Sequence, residues 1–258
     1  MKKEPKITLV GAGPGDPELL TLKGARALRS ADVILYDALI DTRLLNHAHP
    51  EVPRIYVGKR AGAHRMPQQE INALLVASAK AHGHAVRLKG GDAFVFGRGS
   101  EETAYAQAQG IQVEIVPGIS SCIALPELQQ VPPTCRGYSE SFWVITGTTR
   151  SGGLSEDIAL AAQSTATVIV LMGMKQAAAI AREFIKQGKG QLPAMVISKG
   201  STAEERRVLG TADTLPALIE AAALPRPGIL VFGEVVRLHP NWNYQAIAAE
   251  QSLKKERA

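Results

Sequence analysis

Cysteine is nearly absent: Cys122 and Cys135 are the only two in 258 residues, and no C-x-x-C pair occurs. That excludes a disulfide framework and a thiolate zinc site, and it fits two reduced thiols in a reducing cytosol. Long apolar runs are also missing. Nothing approaches the roughly 20 residues that span a bilayer. The apolar stretch after the charged start, Ile7 to Val10, is far too short for the core of a signal peptide. A protein that is not exported, cytoplasmic and without a membrane partner is therefore expected. Histidine is scarce as well. The pairs His47/His49 and His82/His84 lack a Cys, Asp or Glu to complete a ligand set, so no metal is expected. The composition itself, 45% apolar and 21% charged, is that of a globular chain able to bury a core.

The net charge of +5 is unevenly placed. Between Gly58 and Arg98 stand Lys59, Arg60, Arg65, Lys80, Arg87, Lys89 and Arg98 against only Glu70 and Asp92. A cluster of this kind predicts an anionic partner, such as nucleic acid, phosphate or a polycarboxylate, or else a solvated basic surface.

Short apolar runs alternate with helical patterns, which predicts an α/β fold with largely parallel strands. Strands are expected at 6–10, 32–36, 85–89, 113–116, 142–146, 167–172, 194–198, 206–210 and 228–238, the last interrupted at Gly233. Helices are expected at about 17–30, from Pro67, and at about 100–109, 119–129, 154–163, 175–187 and 213–223. The proline-punctuated stretch 131–138 reads as a connection. Two α/β domains result, 1–133 and 134–240, with a cleft between them and a polar tail at 241–258. The second is expected to hold a mixed sheet.

Two glycine-rich turns follow strands, where main chain can approach a ligand. Gly11-Ala-Gly-Pro-Gly-Asp16 departs from the dinucleotide spacing at its sixth position, and Pro14 removes an N–H that a phosphate cradle would use. The second turn, Gly90-Gly91-Asp92, leads into Phe94, Phe96, Arg98 and Glu101. Asp92 could accept from a cofactor amine. Arg98 and Glu101, three apart at a helix start, can face the same way. Either turn taken alone is compatible with a plain loop.

Together the motifs resemble a known family. GAGPGDPELLT, YDAL at 36–39, GKRAGxH at 58–64, RLKGGD, VPGISS at 116–121, MG at 172–173 and GxLVFGEVV at 228–236 are similar in order and spacing to the tetrapyrrole (corrin and porphyrin) methylases. Within that family they look most like the branch that C-methylates uroporphyrinogen III. Any one motif is weak; seven in order are specific.

The resemblance implies the two-domain fold of the class III methyltransferases. It implies a homodimer with S-adenosylmethionine as methyl donor, S-adenosylhomocysteine as its product, and uroporphyrinogen III as substrate rather than nucleic acid. Two methylations would give precorrin-2, which feeds sirohaem and cobalamin biosynthesis. The implied cofactor positions are Pro14, Gly90, Gly91, Asp92, Val95, Ser120, Ser121, Met172 and Gly200. Asp37 matches the proton acceptor, Lys59 the proton donor, and Arg98 an arginine implicated as a base; Glu101 and Arg136 match substrate contacts. The chain departs from the usual pattern at Ala93, Ser100 and Cys135, the last replacing a histidine. Without the dehydrogenase and chelatase extension some relatives carry, this chain is not expected to finish sirohaem. The alternatives are a family methylase with another acceptor, a nicotinamide-dependent reductase, and a non-catalytic tetrapyrrole- or RNA-binding protein.

Overall fold

The first five strands all run the same way. β1 (Lys6–Gly11) lies at the centre, with β4 (His84–Lys89) on one side and β5 (Gln112–Val116) on the other. β2 (Val33–Tyr36) and β3 (Arg54–Tyr56) extend the sheet beyond β4, in the order β3-β2-β4-β1-β5. The structure is a computed structural model that describes residues 4–58 and 66–242. A parallel sheet needs crossover helices on its faces, and alternate residues point to alternate faces. Ile7, Leu9, Val33, Leu35 and Ala85 pack against α2 (Gln68–His82) and α3 (Gly99–Ala108). Val10, Ile34, Val86 and Leu88 pack against α1 (Leu22–Arg29) and the 3-10 segment Thr42–His47. β4 is buried along its whole length.

Helix starts follow capping chemistry. Thr21 accepts from the Gly24 amide at 3.0 Å and caps α1. Asp16 accepts from the Glu18 amide at 2.9 Å and caps the 3-10 turn Pro17–Leu19. The helix expected over 17–30 is thus two pieces, each with its own cap. β3, three residues long, carries too little periodicity to be read from sequence.

The chain divides into two units between Ser121 and Cys122. α4 (Ser121–Leu128), which the sequence reading assigned to the first domain, packs Cys122 and Leu125 within the core of the second. That unit's sheet is mixed, in the order β6-β7-β10-β8-β9. β6 (Phe142–Thr146) runs parallel to β7 (Thr167–Leu171). β10 (Gly228–Phe232) is antiparallel to both β7 and β8 (Pro193–Ser198), and β9 (Arg206–Thr211) is antiparallel to β8. β7 and β8 therefore end at the same edge. One face packs on α5 (Asp157–Gln163), α6 (Ala177–Lys186) and α7 (Leu215–Ala221), around the stacked rings of Phe184 and Phe232, whose centroids are 4.4 Å apart. The strand expected to 238 stops at Gly233, and Glu234–Leu238 forms a 3-10 helix. The tail expected at 241–258 lies outside the described residues from 243 onward.

Candidate functional site

The loop after β1 leads to α1 on one face of the first sheet, and the loop after the adjacent β4 leads to α3 on the other. Outside the carboxyl ends of two such strands an open α/β sheet forms a crevice. Both glycine-rich turns emerge here. They close on each other by paired amides: Gly91 N–H donates to Gly13 O at 2.7 Å, and Gly13 N–H to Gly91 O at 3.2 Å. The loop after β5 joins them. An added Cβ on Gly118 would lie 2.4 Å from Gly91 O and 2.6 Å from Gly11 Cα, so only glycine allows three backbones to pass this closely.

Asp92 ties the loops after β4 and β5 together. One carboxylate oxygen accepts from the amides of Phe94 (2.8 Å) and Val95 (3.2 Å), the other from Gly118 (3.0 Å). Its first duty is thus structural, with some acceptor capacity left over. Beside Gly91, which takes φ +66°, an added Cβ would find only the Ser121 amide among the described residues, at 3.9 Å. Pro14, Gly90 to Asp92, Val95, Ser120 and Ser121 all belong to these loops or their continuations. Phe94 and Phe96 are exposed rather than in the core.

Asp37 follows β2, where one oxygen accepts from the Leu39 amide at 3.1 Å and the other faces Arg87 at 3.5 Å. Lys59 lies outside the described residues. Arg98 caps α3 in a left-handed conformation and forks onto Glu101, at 2.8 and 2.6 Å. That pairing pushes the guanidinium further above its ordinary value, so Arg98 is a cation here and not a base. In the second unit Met172 follows β7 and is exposed, and Gly200 follows β8. Arg136 sits in a tight exposed turn closed by reciprocal Cys135–Ser139 backbone bonds, with no ion-pair partner among the described residues. Positive φ in non-glycine residues is costly, and it recurs at Phe96, Arg98, Met172, Lys199 and Ser201, at or beside the expected site positions.

The basic window needs correction as a surface. Arg87 and Lys89 point inward from β4 and are paired with Glu102 of α3, whose side chain is 0% exposed. A residue in a strand covered on both faces has no route to solvent, so these cations cannot form a wall. Burial, with Arg87 adding to it, lowers the Lys89 ammonium below its ordinary value. Lys59, Arg60 and Arg65 lie outside the described residues. His84 is likewise internal, bonded to Thr8 Oγ1 at 2.8 Å and to Ser30 O at 2.9 Å. Sequence reasoning missed Gly118 and the Arg87–Glu102–Lys89 cluster. The signal for the cluster was available, as cations alternating with Val86 and Leu88 in a central parallel strand.

A doubly wound unit with three glycine-closed loops, followed by a mixed-sheet unit, is the architecture the motifs implied. The model of the Tetrapyrrole (Corrin/Porphyrin) Methylases matches residues 6–216, and the chain belongs to that family. It is 41% identical to the uroporphyrinogen-III C-methyltransferase of Methanocaldococcus jannaschii, over 90% of this chain and 97% of that one. It is 40% identical to a siroheme synthase of Nitrosospira multiformis over 91% of its own length, spanning only 50% of that protein. Among solved structures, the uroporphyrin-III C-methyl transferase of Thermus thermophilus complexed with S-adenyl homocysteine aligns with a TM-score of 0.77 and 40% identity. The alignment covers 90% of this chain and 99% of that one.

Proposed function

We propose that the chain transfers methyl groups from S-adenosylmethionine to two ring carbons of uroporphyrinogen III, giving precorrin-2 and S-adenosylhomocysteine. The observation that carries this is the closed set of glycine loops with space beside Gly91 that no described residue fills, in a chain whose full-length relative in Methanocaldococcus bears that activity in its name. The loops fit such a donor: this flank of Gly91, the Ser121 amide and the remaining acceptor capacity of Asp92 suit a ligand with amine, hydroxyl and carboxylate groups. Pro14, Gly90, Val95 and Ser120 in the first unit, with Met172 and Gly200 in the second, complete the proposed donor contacts.

The donor supplies an electrophilic sulfonium methyl. The acceptor is a reduced, electron-rich macrocycle whose pyrrole carbons are enamine-like, so no strong nucleophile has to be built. A carbon–methyl bond forms as the sulfur–methyl bond breaks, and the pyrrole nitrogen gives up its proton. The protein's work is alignment, worth on the order of 7–11 kcal/mol at best, and proton removal. Asp37 is the proposed acceptor of that proton, and Lys59 is the proposed proton donor. Arg98, held protonated by Glu101, binds a substrate carboxylate through its fork, and Arg136 offers a second exposed cation. A homodimer in the cytoplasm is the proposed working form.

The test is to incubate the purified chain with uroporphyrinogen III and S-adenosylmethionine and weigh the product. Two added methyls per macrocycle, with two S-adenosylhomocysteine released, are expected. Raised melting temperature with S-adenosylhomocysteine but no transfer would leave a binding protein and end the proposal.

A further inference from the structure

Three charged side chains are sealed between β4, α2 and α3. Glu102 is 0% exposed, Arg87 4% and Lys89 6%. Burying charges costs several kcal/mol each, and hydrophobic replacements of similar volume are often more stable. The bonding makes the cost worse. One Glu102 oxygen takes every donor: Lys89 Nζ at 3.0 Å, Arg87 Nε at 3.3 Å and Gln68 Nε2 at 3.0 Å. The other oxygen is buried with no partner among the described residues. A cluster kept for stability alone would spread its donors over both oxygens.

What the loading achieves is a fixed guanidinium. Arg87 is held at Nε by Glu102 and at Nη1 by Leu88 O at 2.9 Å, which leaves Nη2 facing the Asp37 carboxylate at 3.5 Å. Asp37 is the outermost member, 24% exposed, with its other oxygen tied to the Leu39 amide. The chain of contacts runs from a sealed carboxylate, through a planar fork, to the group proposed to receive the substrate's proton.

We infer that Glu102 is a positioning residue that acts through Arg87 to set the direction of the Asp37 carboxylate, with Lys89 balancing the buried charge. This rests on the proposed role of Asp37. A fork held on two sides transmits direction in a way a flexible ammonium cannot. Misplacement of a reacting group by about 1 Å can cost on the order of 10²-fold in rate.

The experiment compares Glu102→Gln, Asp37→Asn and the double variant of the full chain, with turnover expressed per folded molecule from far-UV circular dichroism. Glu102→Gln is expected to lower kcat by on the order of 10²-fold, with KM for both substrates unchanged. The double variant is expected to be no slower than Asp37→Asn alone, because the two act as a unit. Wild-type turnover per folded molecule in Glu102→Gln, or losses that multiply in the double variant, would overturn the inference while leaving Asp37 in its role. Full turnover in Asp37→Asn would remove that role and the inference with it. If Glu102→Gln does not fold, Arg87→Lys, which keeps the cation and loses the fork, is read by the same two comparisons.

Discussion

Replacing Gly118 with alanine tests the three-loop arrangement directly. The added Cβ would sit 2.4 Å from Gly91 O and 2.6 Å from two Gly11 backbone atoms. None of these can rotate away. Reaching an ordinary contact of 3.4 Å from Gly91 O requires a shift of about 1 Å between loops joined only by hydrogen bonds. That shift breaks the 3.0 Å bond from the Gly118 amide to Asp92. Losing a bond to a charged group costs about 1.5–3 kcal/mol, and overpacking adds about 1–3. Together they come to about 2.5–6 kcal/mol, or a fall in Tm on the order of 10 °C for a protein of this size. Thermal melting followed by circular dichroism measures the first effect. Titration calorimetry with S-adenosylhomocysteine measures the second, a loss of affinity of at least tenfold, since Gly91 lines the proposed donor site. Gly153→Ala is the control. Its Cβ would meet nothing nearer than Thr149 Oγ1 at 3.7 Å, and it should leave both measurements unchanged. A Gly118→Ala protein with wild-type Tm and affinity would refute the close-approach argument.

Further outcomes follow from other parts of the molecule. Phe184→Ala removes one of two stacked, fully buried rings and should cost about 3–5 kcal/mol in a denaturant titration; less than 1 would mean the second unit's core collapses around the gap. Burial holds His84 below its ordinary value of 6.5, so between the two values the unfolded chain binds more protons than the folded one. Stability should therefore rise with pH through that window and fall on acidification below about 6.5. Tm against pH should be flatter in His84→Gln, with His239, shifted the same way by burial, supplying what slope remains; an unaltered slope would contradict this. Arg98→Lys keeps the charge but loses the fork, and steady-state assays should show turnover down by about 10- to 100-fold. Its Tm should hardly move, because the Arg98–Glu101 pair is exposed. Full turnover would sink the planar-fork role.

Much of this protein is written locally. Alternating apolar runs and helical spacing placed β1, β2, β4 and β5 in the first unit and β6 to β10 in the second, and Gly233 marked where β10 stops. The order of seven motifs led to the family. Local patterns carry such information because strand alternation, turn residues and glycine needs act over a few residues. What lay beyond the sequence was whatever depends on a partner distant along the chain. Arg87 and Lys89 counted as surface charge until β4 was seen covered on both faces and Glu102, 13 and 15 residues away, was found beneath them. Gly118 was one letter in a motif until folding brought Gly11 and Gly91 against it. Likewise α4 joined the second core because Cys122 and Leu125 meet strands far downstream, such as β8 and β10. Residue identity determines which element forms; burial, and with it the energy and use of every charge, is decided only when those elements pack.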